Sequence, residues 1–357
     1  MVFKIGIDLG YGFVKGVDTI GSKLCFPSVV ARGRKRQLTS LFGGAVKEYE
    51  VVLNGEAYAV GERALRGGDA TRAFGEDRYE HFSSPVLLAT ALAILTKGSG
   101  QPVHVATGLP LSYYAVHGER FRDMILRMAD ARVEIPGLYE GTRRLNIGDA
   151  TIYPQAAGAL WSYLFDENGR MTDPAYVAQG GLVGVVDIGY KTTDYLLADL
   201  AGLEILEELS GTINMGMSDI FKEVQSEIQG ETGHVVDLLK VEGGVLTGRL
   251  WFMGREIDVA AKSERLGKRV AETIADRLML AWRDQRRFLR CLYVAGGGAA
   301  TLAHYLETGD SPVQCIPDPQ YANARGFVCA AAVKERRAML AAVRGTTGHN
   351  SPVEKLA

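Results

Sequence analysis

The chain has 357 residues, of which 47% are hydrophobic and 23% charged, and its formal net charge at pH 7 is −2. These values are typical of a soluble globular protein with one large or two medium domains. Because the charge is close to zero, nothing favours direct binding of nucleic acid or of an anionic membrane surface, and we expect neither.

Metal, targeting and membrane signals are missing from the sequence pattern. The four cysteines are scattered without the paired spacing of a zinc site. The first residues lack the layout of a signal peptide, and the longest apolar stretch, residues 85–95, is too short to span a bilayer. We therefore expect a protein of the reducing cytoplasm without membrane contact.

The first predicted element is a β-hairpin over residues 3–18. A short apolar run ends at Asp8, and the chain passes Gly10 and Gly12 before a second run that carries Lys15. Glycines at such a turn allow the backbone to approach a ligand closely. Lys15 has two interpretations: it reaches phosphate oxygens, or it is an ordinary solvent-facing strand lysine.

A small subdomain is predicted next, at roughly residues 30–80. Asn54 and Gly55 lie between two apolar runs, which is the strongest short hairpin signal. A helix then begins with Ser83 as its cap and Pro85 in its first turn. Later in this half, a helix is predicted to begin at Pro154, with Gln155 in its first turn.

The pattern of the first hairpin returns at residues 183–198, where Asp187 takes the place of Asp8. Two copies indicate two similar halves that face each other across a nucleotide site. A lone carboxylate at the end of an apolar strand is costly unless it meets an ion or hydrogen-bond donors. Magnesium usually takes one or two protein carboxylates and keeps several waters. The alternative is that each aspartate caps its own turn.

The rest of the second half contains loops and helices that also bear on this site. A glycine-rich loop that contains Gly216 leads into a helix, and residues 231–261 are interpreted as a second inserted subdomain. A long helix is predicted over residues 265–289, and a tight turn with three glycines follows at residues 296–298. That turn alone is weak evidence for a ligand, because it is also an ordinary strand-to-helix connection.

Each half therefore combines three strands with helices and further strands. This organisation resembles the actin-like ATPases, whose α/β fold is a duplicated, ribonuclease H-like pair of domains around a nucleotide cleft. The resemblance implies the following division, with small subdomains inserted at about 30–80 and 231–261: domain I at 1–155, domain II at 156–320, a C-terminal helix at 321–345 that returns to domain I, and a polar tail at 346–357.

The resemblance also implies roles for individual residues around ATP or ADP and Mg²⁺. Asp187 and Gln155 would be the catalytic pair that positions the attacking water, and Asp8 and Asp187 would hold the metal through water. The residues implied to bind the phosphates are Gly10, Tyr11, Gly12, Lys15, Gly189, Tyr190, Lys191 and Thr192. The residues implied to bind adenosine are Gly216, Lys268, Gly296, Gly297 and Gly298.

Within that fold, the chain is most similar to the plasmid-segregation actins of the ParM/StbA type. The matching segments are 26–28 (Phe-Pro-Ser), 60–62 (Val-Gly-Glu), 67–69 (Gly-Gly-Asp), 107–110 (Thr-Gly-Leu-Pro) and 319–326 (Pro-Gln-Tyr-Ala-Asn-Ala-Arg-Gly). This implies filaments that polymerise with ATP and disassemble after hydrolysis, with a separate DNA-binding adaptor. Gln155 departs from the Glu that some of these proteins carry. The alternatives are a shape-maintaining cytoskeletal protein and a small-molecule kinase.

Overall fold

Two mixed sheets form the centres of the two halves in the computed structural model, which describes residues 2–33, 48–65, 71–72, 79–306 and 311–347. Parts of the inserted segment at 30–80, the matching segment 67–69 and most of the tail at 346–357 lie outside the described residues. No described helix is both long enough and apolar enough to cross a membrane.

The described elements of the first half, in chain order, are the following: β1 Phe3–Leu9, β2 Phe13–Asp18, β3 Lys23–Pro27, β4 Val30–Arg32, β5 Glu48–Leu53, β6 Glu56–Gly61, α1 Glu62–Leu65, α2 Ser83–Thr96, β7 Val103–Leu109, α3 Leu111–Arg127, β8 Arg132–Glu134, β9 Arg143–Arg144, β10 Ile147–Pro154 and α4 Gln155–Leu164.

The second half and the C-terminal helix continue in the same way: α5 Pro174–Ala178, β11 Leu182–Ile188, β12 Thr193–Asp199, β13 Glu204–Ile205, β14 Gly211–Ile213, α6 Met217–Thr232, α7 Leu238–Thr247, β15 Leu250–Phe252, β16 Arg255–Ile257, α8 Val259–Trp282, β17 Leu289–Ala295, α9 Ala299–Leu302, β18 Val313–Cys315 and α10 Ala322–Thr347.

The central sheets of the two halves have equivalent topologies. The first has the strand order β10-β7-β1-β2-β3, and the second has β18-β17-β11-β12-β13, with β14 also paired to β12. In each sheet the central strand runs antiparallel to the next strand along the chain and parallel to a later one. The predicted duplication is confirmed at the level of strand order and direction.

Helices cover both faces of these sheets, which explains their nearly continuous apolar strands. In the first half, Ile5 and Ile7 of β1 pack in one core with α2, while α10 crosses β1 at Gly6. In the second half, Val186 packs with α6 and α8, and Val185 packs with α4. The central strands are therefore held rigidly, and their ends are placed accurately.

Helix α10 contacts both the first sheet and α4 at very short range. A Cβ added to Gly6 would lie 1.9 Å from the carbonyl oxygen of Ala324, and one added to Gly326 would lie 1.6 Å from that of Gly158. No side chain fits at these crossings, so glycine is required there. The helix thus links β1 to α4, which leads into the second half.

The inserted segment of the first half forms a second sheet, with strand order β4-β6-β5-β8-β9. The predicted hairpin at Asn54 and Gly55 is confirmed: both residues have positive φ, 51° and 90°, as a tight hairpin turn requires. Two strands of this sheet, β8 and β9, come from residues 132–144, which the sequence pattern does not associate with the inserted segment.

Two predicted helix boundaries are wrong. The helix predicted at 265–289 begins at Val259, because the Asp258 side chain accepts a hydrogen bond from the Ala261 amide at 3.1 Å. It ends at Trp282, and Leu289 already belongs to β17. Ser83 is the first residue of α2 and not its cap, since Phe82 precedes the helix and makes no side-chain capping bond.

Candidate functional site

Asp8 and Asp187 lie at the ends of the two central strands and line one cavity between the halves. The register is the same in both hairpins, because Asp8 pairs with Lys15 across β1 and β2 while Asp187 pairs with Asp194 across β11 and β12. The lining also includes Leu9, Gly10, Tyr11, Gly12, Phe13, Lys15, Gln155, Gly189, Tyr190, Thr192, Met217, Phe221, Glu242, Leu246, Gly297, Thr301 and Gln320.

Lys15 forms a buried ion pair with Asp8. Its Nζ donates to Oδ2 of Asp8 at 3.0 Å, and only 9% of the residue is exposed. Burial by itself lowers the pKa of Lys15, but the adjacent Asp8 carboxylate outweighs this and holds the pKa above its usual value. The interpretation of Lys15 as a solvent-facing lysine is therefore wrong, and the site contains a permanent cation.

Asp187 is held by two amide side chains. Asn323 donates from Nδ2 to Oδ2 at 2.7 Å, and Gln155 donates from Nε2 to the same oxygen at 3.3 Å. Burial, assisted by the neighbouring Asp8 carboxylate, raises the pKa of Asp187 to about 6. A buried carboxylate with a raised pKa, fixed by donors from α4 and α10, has the properties of a group that positions water or accepts a proton.

The first loop, between β1 and β2, is fastened from outside the cavity. The hydroxyl of Ser28 donates to the carbonyl of Gly10 at 2.6 Å, and the Ser28 amide donates to the carbonyl of Gly12 at 2.9 Å. A Cβ on Gly10 would lie 2.7 Å from the Phe13 carbonyl oxygen. Glycine keeps this loop tight, and its backbone borders the cavity directly.

The second loop, between β11 and β12, is seated on the start of α6. The amides of Met217 and Ser218 donate to the carbonyls of Gly189 and Tyr190 at 3.1 and 2.7 Å. A Cβ on Gly216 would lie 2.7 Å from the Gly189 carbonyl oxygen, so Gly216 permits this close contact. Gly216 therefore packs against the second loop and is not part of the cavity lining.

The three glycines of the turn after β17 occupy different surroundings. Gly296 has φ of +89°, and a Cβ there would lie 2.3 Å from Oδ1 of Asp187. The amide of Gly298 donates to the carbonyl of Ile188 at 2.9 Å. Gly297 alone lines the cavity, and a Cβ there would meet nothing within 4 Å. Gly296 and Gly298 therefore allow the turn to pack closely against β11, whereas Gly297 borders the cavity.

Contacts across the cleft join the two halves directly. Lys191 of the second loop lies with its Nζ 5.1 Å from the ring centre of Tyr11 in the first loop. A Cβ on Gly12 would lie 2.7 Å from the ring of Tyr190, so these loops meet at van der Waals distance. The cleft between the two halves is therefore closed where the first and second loops meet.

A second bridge joins the inserted segments of the two halves. The Arg72 guanidinium lies 3.5 Å from Oε2 of Glu242 on α7 and 5.0 Å from the ring centre of Tyr190. The Tyr190 hydroxyl donates to the same glutamate at 3.3 Å. Burial raises the pKa of Glu242 even though Arg72 opposes the shift. Both charged side chains are at most 10% exposed, so this is a buried contact.

The cavity, as closed by these contacts, has a volume of about 160 Å³. Ligand pockets for small molecules are usually about 300–1,000 Å³. The closed cavity is therefore smaller than most small-molecule sites, and the Arg72–Glu242 bridge lies beside it.

Not all predicted residues reach the cavity. Lys191, Gly216, Gly296, Gly298 and Lys268 are not part of its lining, and Lys268 is an exposed residue of α8. The cavity also includes residues that sequence reasoning missed: Met217, Phe221, Glu242, Leu246, Thr301 and Gln320. Asn323 was missed as well, although it lies in the matching segment 319–326 and an amide at a helix start was a usable signal.

The donor set suits a magnesium ion that keeps most of its waters. Among the described residues, no cluster of three or more His, Cys, Asp or Glu side chains is present. Asp8 and Asp187 provide two carboxylates at one cavity, which matches the small number of protein ligands that magnesium takes beside a phosphate chain. Two carboxylates fit a magnesium ion whose remaining ligands are water and phosphate oxygens, and they do not fit an ion bound by protein ligands alone.

Two family descriptions match successive parts of the chain. "Actin like proteins N terminal domain" matches residues 6–158, and "Archaeal actin homologue MreB-like, C-terminal" matches residues 185–308. Both families are described as actin-like, and each match covers less than half of the chain. The gap between the two matches falls between the two central sheets. The first match covers most of the first central sheet, and the second begins at residue 185, within β11.

Individual relatives of the chain are also described as actin homologues. An archaeal actin homologue of Thermoplasma acidophilum is 25% identical over 337 residues, which cover 90% of this chain and 97% of the relative. A crystal structure of an archaeal actin homologue in complex with ADP gives a TM-score of 0.74 at 24% identity, covering 94% of this chain and 100% of the other. The predicted two-domain actin-like fold is confirmed.

A filament structure is also similar to this chain. A 15-stranded ParM filament from Clostridium botulinum gives a TM-score of 0.77 at 24% identity, covering 94% of this chain and 99% of that chain. At this identity the likeness establishes the fold and no more.

Proposed function

We propose that this chain is an actin-like ATPase that polymerises with ATP and Mg²⁺ and disassembles after hydrolysis. The observation that carries the proposal is the placement of Asp8 and Asp187 at equivalent strand ends around one cavity. One carboxylate is paired with a buried lysine, and the other is held by two amides. The ADP complex of an archaeal actin homologue supports a nucleotide as the ligand.

The phosphate chain lies, in this proposal, between the two glycine loops. Backbone amides of the loops at Gly10 and Gly189 bind phosphate oxygens, and Lys15 neutralises part of their charge. Asp8 and Asp187 would hold a magnesium ion, which would supply further neutralisation of the phosphate charge. Gly297 borders the space for the nucleoside. The preference between ATP and GTP is left to measurement.

Hydrolysis requires a water molecule placed in line with the terminal phosphate. Gln155 and Asp187 already contact each other at 3.3 Å and face the same cavity, so both are within reach of one water. Gln155 orients the water, and Asp187 accepts its proton or a hydrogen bond from it. Asn323 keeps the Asp187 carboxylate in place during this step.

Coupling to assembly requires different affinities of two conformations for the nucleotide. The closed arrangement brings Arg72 to Glu242 and Tyr11 to Lys191, and these contacts are lost when the cleft opens. ATP favours the closed, polymerising form because its phosphates bind both loops at once. Loss of the terminal phosphate weakens this link and permits disassembly.

The cellular use that we propose is segregation of plasmid DNA through a separate DNA-binding adaptor, as in the ParM/StbA type. The likeness to a ParM filament supports it, and the net charge of −2 fits a protein that does not bind DNA itself. Another cytoskeletal role, such as maintenance of cell shape, is the second candidate. The similarity to archaeal actin homologues is compatible with it.

Light scattering combined with phosphate release tests the biochemical proposal. After ATP and magnesium are added to the purified chain, scattering rises above a critical concentration and decays as phosphate appears. Electron microscopy of the same sample shows filaments. Nucleotide binding without scattering at any salt or protein concentration contradicts the proposal. A screen of phosphate acceptors then tests a small-molecule kinase of the same fold.

A further inference from the structure

Tyr190 of the second loop contacts several elements around the cavity at once. Its backbone carbonyl accepts a hydrogen bond from the Ser218 amide at 2.7 Å, so the loop is fixed to the start of α6. Its ring lies against Gly12 of the first loop, where a Cβ would be 2.7 Å away. The centre of this ring is 6.0 Å from the ring centre of Phe221 on α6. One side chain therefore spans the space between the two loops.

The same side chain reaches the bridge between the inserted segments. The Tyr190 hydroxyl and the Arg72 guanidinium both approach Oε2 of Glu242, at 3.3 and 3.5 Å. The guanidinium is also 5.0 Å from the centre of the Tyr190 ring, a distance at which a cation is attracted to an aromatic face. Tyr190 therefore stabilises both partners of the bridge, because its hydroxyl donates to the glutamate and its ring attracts the arginine.

The bridge depends on these contacts because it is buried. Glu242 is 5% exposed, and burial raises its pKa although Arg72 and the Tyr190 hydroxyl both oppose the shift. Burial also raises the pKa of Tyr190 to about 12, so the hydroxyl keeps its proton at neutral pH and stays a donor. A buried carboxylate that loses a donor becomes costly to keep charged. Loss of the Tyr190 contact therefore weakens the closed state of the cleft.

Both of these contacts with Glu242 are longer than ideal. The 3.3 Å from the Tyr190 hydroxyl exceeds the range of about 2.5–3.0 Å that is usual for O–H···O bonds. The 3.5 Å from Arg72 exceeds the range of about 2.7–2.9 Å of a charge-assisted bond. A displacement of the second loop on the order of a few tenths of an ångström therefore tightens or breaks the hydroxyl contact. The strength of the bridge thus follows the position of this loop.

The second loop also borders the position of the phosphates in the proposed function. Gly189, Tyr190 and Thr192 line the cavity. Backbone amides of such a loop bind phosphate oxygens, as proposed above for the loop at Gly189. The terminal phosphate of ATP then restrains the second loop, and its loss removes that restraint. The position of the Tyr190 side chain therefore depends on whether the terminal phosphate is bound.

We propose that Tyr190 couples the terminal phosphate to the Arg72–Glu242 bridge. While ATP is bound, the second loop keeps the Tyr190 hydroxyl on Glu242, and the cleft stays closed. After hydrolysis and release of phosphate, the loop shifts, the hydroxyl leaves Glu242, and the bridge opens. The inference rests on the proposed ATPase function and assigns to Tyr190 the role of a positioning residue that acts through Glu242.

The first test measures how fast two nucleotides leave the Tyr190→Phe variant. Fluorescently labelled ADP and a labelled non-hydrolysable ATP analogue are displaced by stopped flow, with magnesium and below the protein concentration at which light scattering rises. In the natural chain the ADP should leave faster than the analogue. In Tyr190→Phe we expect the analogue to leave about fivefold to tenfold faster, because a hydrogen bond to a charged group is lost, and ADP release to change less than about twofold.

Tyr195→Phe is the matched control. It removes the same atom from a half-buried tyrosine of β12 that does not line the nucleotide cavity, so both release rates should equal those of the natural chain. Release rates of Tyr190→Phe that equal those of the natural chain overturn the inference. An equal acceleration of ADP and analogue overturns it as well, because the contact would then not depend on the terminal phosphate.

Glu242→Gln tests the same contact without changing the second loop. It removes the charge that holds Arg72 and the hydroxyl, so by itself it should narrow the difference between the release rates of the two nucleotides. The double variant with Tyr190→Phe should release the analogue no faster than the faster single variant, since both substitutions remove one contact. Accelerations that multiply in the double variant contradict coupling through Glu242.

Nucleotide binding itself separates this inference from the proposed function. A natural chain that binds neither labelled nucleotide refutes both. A natural chain that binds both nucleotides and hydrolyses ATP, but releases ADP and the analogue at equal rates, refutes the coupling through Tyr190 and leaves the proposed function intact.

Discussion

Asn323 donates a hydrogen bond to Asp187 at 2.7 Å, and both residues are only 3% exposed. Asn323 belongs to the first turn of α10, the helix that crosses β1 at Gly6 and α4 at Gly158. The carboxylate at the centre of the site is therefore held by the element that connects the two halves. Any movement of α10 relative to β11 changes the position of Asp187.

Asp187→Asn should reduce nucleotide hydrolysis on the order of a hundredfold or more, because a positioned general base contributes about 10²–10⁴-fold. The substitution keeps the shape of the side chain, so the affinity for nucleotide should change only a few-fold. Phosphate release and titration with a fluorescent ATP analogue measure the two quantities. If the variant loses its folded structure by circular dichroism, Asp187 has a structural role instead.

Gln155→Ala should slow hydrolysis and prolong the lifetime of assembled protein, since the water would lose one of its two orienting groups. The lifetime is read from the decay of light scattering after one addition of ATP. Gln314→Ala is the matched control, because Gln314 is an exposed residue of β18 away from the cavity. An unchanged hydrolysis rate in Gln155→Ala would show that this amide does not orient the water.

Arg72→Ala should speed nucleotide release about tenfold to a hundredfold, because a hydrogen bond to a charged group is worth about 1.5–3 kcal/mol and each 1.4 kcal/mol is a factor of ten. The variant leaves Glu242 buried without its cation, which favours the open cleft. Stopped-flow displacement of a fluorescent nucleotide measures the rate.

The double variant Arg72→Ala with Glu242→Gln is the control for that prediction. It removes the unpaired charge along with the bridge, so its release rate should lie between those of Arg72→Ala and the natural chain. Release rates of the single variant equal to those of the natural chain would mean that the bridge does not hold the cleft closed.

Gly296→Ala should destabilise the protein more than Gly55→Ala, although the two glycines have nearly equal φ of +89° and +90°. The left-handed backbone costs an L-residue about 1–2 kcal/mol at either position. At Gly55 the new methyl group meets open space, whereas at Gly296 it would lie 2.3 Å from Oδ1 of Asp187. Urea unfolding of both variants compares the losses, and equal losses would contradict this account.

Much of the candidate site was accessible from local sequence patterns. Asp8 and Asp187 were found because each ends an apolar strand before a glycine turn, and this signal needs no distant partner. The pattern placed Gln155 in the first turn of a helix, and only the family resemblance implied its role at the site. Lys268 was assigned to the adenosine site by resemblance alone. It is an exposed residue of α8, and its contact with a nucleotide stays a prediction. A helix surface exposes residues all round, so spacing does not tell which side faces a ligand.

The site contacts that the sequence pattern did not predict are contacts between residues far apart in the chain. Asn323 reaches Asp187 over a separation of 136 residues, and Arg72 meets Glu242 across the cleft. The local pattern does not reveal either pairing, because hydrophobic periodicity reports which side of an element is buried and not what lies opposite. The boundaries of α8 were missed for a related reason, since the Asp258 cap and Leu289 of β17 acquire their roles only through neighbouring elements.

The sequence by itself determined the duplicated architecture, the two aspartate–glycine turns and the apolar strands that lead to them, because these depend on local patterning and on the special backbone freedom of glycine. Only the tertiary structure decided how the two halves close. It paired Lys15 with Asp8, seated Gly296 and Gly298 against β11, and brought the inserted segments together. Those contacts join residues far apart in the chain, and close packing alone specifies their distances.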